Sequence, residues 1–203
     1  MAVQVGLRER KKQQTRQAIY DAARRLFTKR GFERVTVAEV ARAANVSEVT
    51  VFNYFPTKED LFYGGMRFFE EELLDAVRQR KPGEAAVKAF RRKLLESVEG
   101  LRSKERFAAI RKATEALAAS PSLLARERQI VDSYTRTLAE LLHGGPEPDI
   151  ESVAVATALM GTHRAVVDYV RRRVRAGVRG DALADDAAAQ IRKAFARLER
   201  GLG

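Results

Sequence analysis

The most constraining feature of this sequence is a pair of helix-start signals between Thr36 and Pro56. Thr36 is followed three residues later by Glu39, which is the spacing of a capping box and predicts a short helix beginning at Val37. Ser47 is a second residue suited to capping a helix, and Pro56 ends the helix that follows it. Two short helices joined by a turn of about four residues predict a helix-turn-helix, whose second helix can enter the major groove of DNA.

The residues around these two helices fit the same arrangement. Asn45 tolerates the left-handed backbone that ends many helices, while Val51 and Phe55 supply the buried positions of the second helix. A longer amphipathic helix is predicted over residues 12–30, with Gly31 closing it. We therefore predict a three-helix DNA-binding domain over residues 1–56.

The run V-S-E-V-T-V-F-N-Y-F-P-T-K-E-D-L resembles the recognition segment of the TetR (tetracycline-repressor) family of bacterial transcriptional regulators. The usual form in that family is G-V-S-x-x-T-L-Y-x-H/Y-F-x-x-K-x-x-L, and the upstream A-A-R-R-L-F-T-K-R-G-F-E-R-V-T-V is similar to the family's first helix and turn. The chain departs from this form at three positions, with Asn45 for glycine, Val51 for leucine and Phe52 for tyrosine. Phe52 lacks the hydroxyl that often touches a phosphate in this family. The resemblance implies an all-helical second domain for dimerisation and effector binding, without naming the effector.

The resemblance also implies which side chains face DNA: Thr36, Ser47, Val49, Thr50, Asn53, Tyr54 and Lys58. The Asn53 amide suits a bidentate contact with adenine, while Val49 and the methyl group of Thr50 suit thymine methyl groups. Lys58, Thr36 and Tyr54 are expected to hold phosphates, and Thr36 and Ser47 also to cap their helices.

A cluster of cations before or at the start of the first helix adds to this surface. It contains Arg8, Arg10, Lys11, Lys12 and Arg16, of which we assign Lys12 and Arg16 to DNA. The whole chain carries a formal charge of +11, and an excess of this size is typical of a polyanion partner. Residues 1–60 hold 12 basic and 7 acidic residues, a net of +5, so the other +6 lies beyond them and charge alone does not locate the DNA surface.

The remaining composition limits the chemistry and the location. The 203 residues include no Cys, two His and no G-x-x-x-x-G-K-S/T loop, so the sequence offers no thiol nucleophile, zinc motif or phosphate-binding loop. We therefore expect that the protein is not an enzyme and that it binds no metal and no cofactor. The sequence shows neither an apolar stretch of membrane-spanning length nor a signal peptide, which favours a cytoplasmic protein.

The sequence after Pro56 has helical periodicity throughout and no alternating strand pattern, so the fold class is all-α. One helix of about 24 residues is predicted from Thr57 to before Pro82. Further helices are predicted over residues 84–99, 104–118, 121–142, 149–175 with Asp149 as cap, and 181–200 with Asp181 as cap. We assign residues 57–203 to one effector-binding and dimerisation domain.

Polar residues interrupt an apolar segment around His163 and suggest either a satisfied core or a ligand cavity. A mostly apolar cavity with a few polar groups is the usual small-molecule site. His163 and Arg164 are the polar candidates for such a site, and helical phase adds the candidate walls: Met66, Phe69, Phe90, Phe107, Arg111, Thr114, Tyr134 and Met160.

The last two predicted helices each carry a stripe that suits helix packing. Small residues lie at Ala154, Ala158, Gly161 and Ala165, and apolar residues at Ile191, Phe195 and Leu198. These seven residues are our candidate homodimer interface, formed as a four-helix bundle between two subunits. Packing of both stripes within one subunit is the alternative.

Together these features predict a ligand-responsive repressor that binds a palindromic operator as a homodimer and is released by a small-molecule inducer. Two other classes stay open at this point. One is a helical carrier or enzyme with an attached DNA-binding head, and the other is a nonspecific nucleoid-type binder.

Overall fold

The structure is a computed structural model that describes residues 6–64 and 67–202. Within these ranges the regular structure is helical and includes no strand, which confirms the predicted all-α class. The α-helices are α1 (Leu7–Arg30), α2 (Val37–Ala43), α3 (Glu48–Tyr54), α4 (Lys58–Tyr63), α5 (Arg67–Arg78), α6 (Ala86–Glu99), α7 (Lys104–Ala119), α8 (Pro121–His143), α9 (Ile150–Arg175) and α10 (Gly180–Leu202); a 3-10 helix spans Gly100–Arg102.

The chain divides into two compact units, residues 1–68 and 69–203. We predicted a boundary at Pro56, so the first unit extends further than expected. The reason is that α4 packs against α1 and buries Leu61 in the same core as Ile19 and Phe55. The helix after Pro56 therefore belongs to the first unit.

The first unit is a small helical domain built around α1, α2 and α3. Its core contains Ile19, Ala22, Ala23, Val35, Val40, Ala41, Val51, Phe55 and Leu61, all buried. Phe32 also lies buried, with its ring centroid 5.2 Å from that of Phe27 and 5.6 Å from that of Phe62. This packing fixes the loop between α1 and α2, and with it the direction in which α2 begins.

The turn between α2 and α3 uses the predicted asparagine. Asn45 has φ = 54° and is the one non-glycine residue with positive φ in the described ranges. The Val46 amide donates to the carbonyl oxygen of Ala41, and the Asn45 amide donates to that of Arg42, which closes the end of α2. Asparagine therefore does here what glycine does in most helix ends of this kind.

The second unit is a bundle in which α9 packs against α7, α8 and α10, while α10 also packs against α6. Its core includes Phe90 of α6, Leu138 of α8, Leu159 of α9 and Ile191 and Phe195 of α10, each fully or almost fully buried. The rings of Phe90 and Phe195 stack with centroids 6.4 Å apart. Helices α9 and α10, at the end of the chain, thus pack against the other helices of their own unit.

Some predicted helix boundaries differ from the structure. Within the region predicted as one long helix from Thr57, the structure describes α4, with Gly64 as its C-cap, and α5 from Arg67, while residues 65 and 66 lie outside the described ranges. The last helix begins at Gly180, so Asp181 lies in its first turn instead of capping it. The Asp181 carboxylate accepts a hydrogen bond from Arg102 at 2.8 Å, which links α10 to the 3-10 helix.

Candidate nucleic-acid interface

The start of α2 is fixed by the predicted capping box together with an arginine from α1. The Thr36 hydroxyl accepts from the Glu39 amide at 3.2 Å, and the Glu39 carboxylate accepts from the Thr36 amide at 2.9 Å. Arg30 donates to the same carboxylate at 2.6 Å. The Thr36 backbone amide, with Arg30 as the second cause, lowers the pKa of Glu39 to about 2. One carboxylate therefore holds the end of α1 and the start of α2 together.

The start of α3 is fixed by Ser47. Its hydroxyl accepts from the Thr50 amide at 3.1 Å, and the hydroxyl groups of Ser47 and Thr50 lie 2.8 Å apart in a second hydrogen bond. Both predicted capping roles, at Thr36 and Ser47, are confirmed. Both hydroxyl groups, that of the cap Ser47 and that of Thr50 on α3, therefore have a hydrogen-bond partner within the domain.

One face of α3 is buried and the opposite face is open. Val51 and Phe55 are buried in the domain core, whereas Val49 is 70% exposed and Asn53 is also exposed. Residues four apart share a helix face, so Val49 and Asn53 form the outermost line of α3. Phe52, which is 46% exposed, lies beside that line. The helix thus presents an amide and two apolar groups outward.

Three other predicted DNA contacts are half-buried. The Lys58 ammonium lies 4.2 Å from the centroid of the Phe32 ring and donates to the Glu33 carbonyl oxygen at 3.4 Å. The Arg16 guanidinium lies 5.5 Å from the centroid of the Phe55 ring. Tyr54 packs against the domain core. Each of these side chains has a structural role within the first unit.

The cations of the N-terminal half of α1 are exposed. Helix α1 begins at Leu7, so Arg8, Arg10, Lys11 and Lys12 lie on the helix itself, earlier than the predicted start at residue 12. By contrast, the sequence of α3, EVTVFNY, contains one charged residue, Glu48. Exposed cations that suit a polyanion are therefore supplied by α1, whereas α3 carries no cation and one exposed carboxylate, Glu48.

The family model for bacterial regulatory proteins of the tetR family matches residues 19–63. TcmR of Streptomyces glaucescens, an HTH-type transcriptional regulator, is 34% identical over 85 residues, which is 42% of this chain and 38% of TcmR. The match thus spans well under half of that relative's length.

Solved structures match over nearly the whole chain. A TetR transcriptional regulator from Rhodococcus sp. RHA1 covers 93% of this chain with 98% of its own, at a TM-score of 0.57 and 23% identity. Residues 19–63 thus match the DNA-binding part of the tetR family, and the chain shares the fold of this solved regulator. NalD, the secondary repressor of the MexAB-OprM multidrug efflux pump in Pseudomonas aeruginosa, covers 91% of this chain with 96% of its own, at a TM-score of 0.52 and 22% identity. At these identities the two structures support the fold.

The residues predicted to bind an effector do not form one group. Phe90, Thr114, Met160 and His163 are buried, and Phe107 and Tyr134 are half-buried. Arg111 and Arg164 are exposed, and the Arg111 guanidinium donates to Glu115 at 2.8 Å. Met66 lies outside the described residues, and so does the side chain of Phe69.

His163 lies in the core beside an ion pair that the sequence analysis did not identify. The Arg171 guanidinium donates two hydrogen bonds to Glu127 of α8, at 2.7 and 3.0 Å. Burial, with the charge of Arg171 as the second cause, lowers the pKa of His163 to about 4. His163 is therefore neutral at pH 7. The Thr114 hydroxyl donates to the Ile110 carbonyl oxygen of its own helix at 2.8 Å.

The predicted dimer residues separate into two sets. Ala154, Gly161 and Ala165 are exposed on α9 and Ala158 is half-buried there, so this stripe is open. Ile191 and Phe195 are fully buried in the core of their own unit, and Leu198 packs against it. Helices α6 and α9 thus cover Ile191 and Phe195 within their own unit, whereas Leu198 is only half-buried.

The open face of α9 contains two further residues that sequence reasoning missed. Ile150 is 89% exposed and Val153 is 42% exposed. The signal in the sequence was that these two apolar residues precede Ala154 and Ala158 on the same predicted helix. In the described part of the chain, no helix is both long and apolar enough to cross a bilayer.

Proposed function

We propose that this protein is a homodimeric transcriptional repressor that binds a palindromic operator and is released from it by a small-molecule inducer. The observation that carries the proposal is the outward face of α3. Val51 and Phe55 anchor the helix, while Val49 and Asn53 face solvent beside a helix rich in exposed cations. This is the division between base-reading and phosphate-holding groups that a DNA-binding domain needs.

The proposed base contact belongs to Asn53. Its amide donates and accepts in the pattern that adenine presents in the major groove through N6 and N7. Val49, on the same line of the helix, meets a thymine methyl group. The exposed Lys12 and the half-buried Arg16 and Lys58 hold phosphates, with Thr36, Ser47, Thr50 and Tyr54 at the edge of the same surface.

The proposed homodimer forms through the open face of α9. From Ile150 to Gly161 this face has apolar or small side chains at Val153, Ala154 and Ala158. Small residues allow a second helix to approach closely, and exposed apolar side chains gain free energy when covered. A two-fold dimer places its two recognition helices about 34–36 Å apart, or a multiple of that, to meet successive major grooves on one side of DNA.

The proposed inducer binds within the second unit, near the buried polar groups of α7 and α9. Thr114 and His163 lie among apolar residues that include Met160, which suits a mainly apolar small molecule with one or two polar groups. NalD, which shares the fold, is named as a repressor of a multidrug efflux pump. By linkage, an inducer that weakens operator binding a hundredfold is itself bound a hundredfold more weakly by the operator complex. The proposed place of action is the cytoplasm, where the operator DNA lies.

Selection of binding sites from random DNA with the purified protein tests the core of this proposal. We expect a palindromic site bound at least a thousandfold more tightly than random DNA, and a complex that contains two protein chains. Equal affinity for selected and random DNA would instead establish the nonspecific nucleoid-type binder. Release of the selected DNA by one member of a small-molecule panel tests induction, and chemical conversion of that molecule would favour the carrier or enzyme class.

A further inference from the structure

Among the side chains that the structure describes, large apolar ones are exposed at few positions, and two of these lie on α3. They are Val49 and Phe52; the others are Leu124, Ile150 and Val153. Helix α3 has only seven residues, so this density is high. Val51 of the same helix is fully buried in the domain core, whereas neither Val49 nor Phe52 is among the residues of that core.

The position of Phe52 on α3 places it beside the base-reading line. It follows Val49 by three residues and precedes Asn53 by one, so Val49 and Phe52 are neighbours on the helix surface. The resulting surface has an apolar patch next to an amide. On the other side of Asn53, the Thr50 hydroxyl is already bonded to that of Ser47 at 2.8 Å.

The chemistry of this face restricts what it recognises. Helix α3 carries no cation and its one charged residue is Glu48, so α3 itself does not attract phosphates. In the major groove the apolar feature on a base edge is the C5 methyl group of thymine. Phe52 also has no hydroxyl with which to hold a phosphate.

We propose that Phe52 is a specificity-determining residue that, with Val49, binds thymine methyl groups next to the base held by Asn53. The inference rests on the proposed function and deepens it, because it names the chemical group that the operator presents. Each half-site then contains adjacent A·T pairs whose thymine methyls face Phe52 and Val49. The exposed aromatic ring is covered when the DNA complex forms.

Removal of single methyl groups from the DNA distinguishes methyl recognition by Phe52 from other contacts of its ring. In the selected operator, each thymine of a half-site is replaced in turn by uracil, which removes only the methyl group. We expect the dissociation constant to rise about fourfold at each thymine that Phe52 or Val49 covers, and to stay unchanged at the others. A ring packed on the sugar-phosphate backbone would give no dependence on uracil at any position.

Variants of the protein then assign the methyl groups to residues. In Phe52→Ala, uracil at the position covered by Phe52 should cause no further loss of affinity, and Phe52→Leu should retain part of the effect. Lys12→Ala is the matched control, because it weakens binding to every DNA while leaving the uracil effect intact. A uracil effect of full size in both Phe52→Ala and Val49→Ala would overturn the assignment.

The outcomes distinguish failure of the inference from failure of the proposed function. If selection yields no preferred DNA, both fall, and the apolar patch on α3 is then a surface for a protein partner. If selection yields an operator that binds equally well with uracil throughout, the proposed function stands and the role of Phe52 in methyl recognition is wrong. Loss of operator affinity only where specific thymine methyls are removed supports both.

Discussion

Helices α3 and α9 both leave apolar side chains exposed, yet their surroundings differ. On α3, Val49 and Phe52 lie next to the Asn53 amide, and the Ser47 hydroxyl caps the start of the helix. On α9, Ile150 and Val153 lead into alanines and a glycine, over a stretch of uncharged residues from 152 to 163. Exposure alone thus does not identify the partner. The mixture of amide and apolar groups on α3 fits the edges of base pairs, whereas the small groups on α9 fit another helix.

The strongest test of this contrast is a charge on the α9 face. Ala158→Glu is expected to convert the dimer into monomers, because the carboxylate would be buried without a partner between two helices. Operator affinity should fall at least a hundredfold, since each monomer holds one half-site. Sedimentation measures the assembly, and Ala125→Glu on the exposed side of α8 is the matched control. An intact Ala158→Glu dimer would remove α9 from the interface.

The next test concerns the amide on α3. Asn53→Ala should cost about 1–3 kcal/mol at the selected operator and relax base preference at one position per half-site. Lys12→Ala should weaken binding to all DNA and reduce the slope of log affinity against log salt by about one. Fluorescence anisotropy with operator and random DNA measures both. Equal losses on both DNAs for Asn53→Ala would mean that α3 holds phosphates instead of reading bases.

His163, on the buried face of α9, is expected to have a smaller effect, on how the free energy of unfolding depends on pH. His163 binds a proton near pH 6.5 in the unfolded chain and near pH 4 in the folded protein, so the unfolded state takes up more protons between these values. The free energy of unfolding should therefore fall as pH falls from 6.5, with His163 contributing roughly 2 kcal/mol of loss by pH 5.

Urea unfolding at pH 7, 6 and 5 measures the contribution of His163. His163→Leu should show a flatter pH dependence than the parent protein, whatever its stability at pH 7. His163→Gln separates protonation from packing, because it keeps a polar side chain that does not titrate in this range. Parallel curves for the parent and both variants would show that His163 takes up its proton in the folded state.

The smallest expected effect is at the base of the helix-turn-helix. Glu39→Gln should lower the melting temperature modestly at pH 7, because Glu39 is ionised and holds the Thr36 amide and Arg30. Since the pKa of Glu39 falls from 4.5 to about 2 on folding, this contribution is present above pH 4.5 and is lost as pH falls through about 2. Thermal unfolding of the exposed control Glu33→Gln should follow the parent protein, and a gap for Glu39→Gln that persists at pH 2 would contradict the assignment.

Local signals in the sequence were sufficient where one short segment decides the structure. Thr36, Ser47 and Asn45 were predicted from spacing and residue type, because a cap or a left-handed turn depends on neighbours a few residues away. Ile191 and Phe195 are the opposite case, because they were expected at a contact between subunits and are fully buried in their own unit. Periodicity shows that a helix has an apolar face, but whether its own subunit or another one covers that face depends on long-range packing.

The candidate sites show the same limit. Arg111 and Arg164 share helical phase with the buried residues nearby, yet both side chains lie at the surface. The ion pair of Arg171 with Glu127 joins residues on two helices and has no signature in either segment. Phe52 was noted in the sequence for its missing hydroxyl group, and the exposure of its ring became visible only in the structure.

The Glu39 carboxylate also constrains how this domain is able to change over time. It serves the Thr36 backbone amide, the Thr36 hydroxyl and Arg30 together, at 2.9, 3.1 and 2.6 Å. Replacing any one of the three residues leaves the other two with an incomplete set of bonds. Positions 30, 36 and 39 are therefore expected to covary among relatives, whereas position 53 is free to diverge with the operator. The positions that hold the scaffold together and the position proposed to read the DNA thus lie within fewer than thirty residues of one chain.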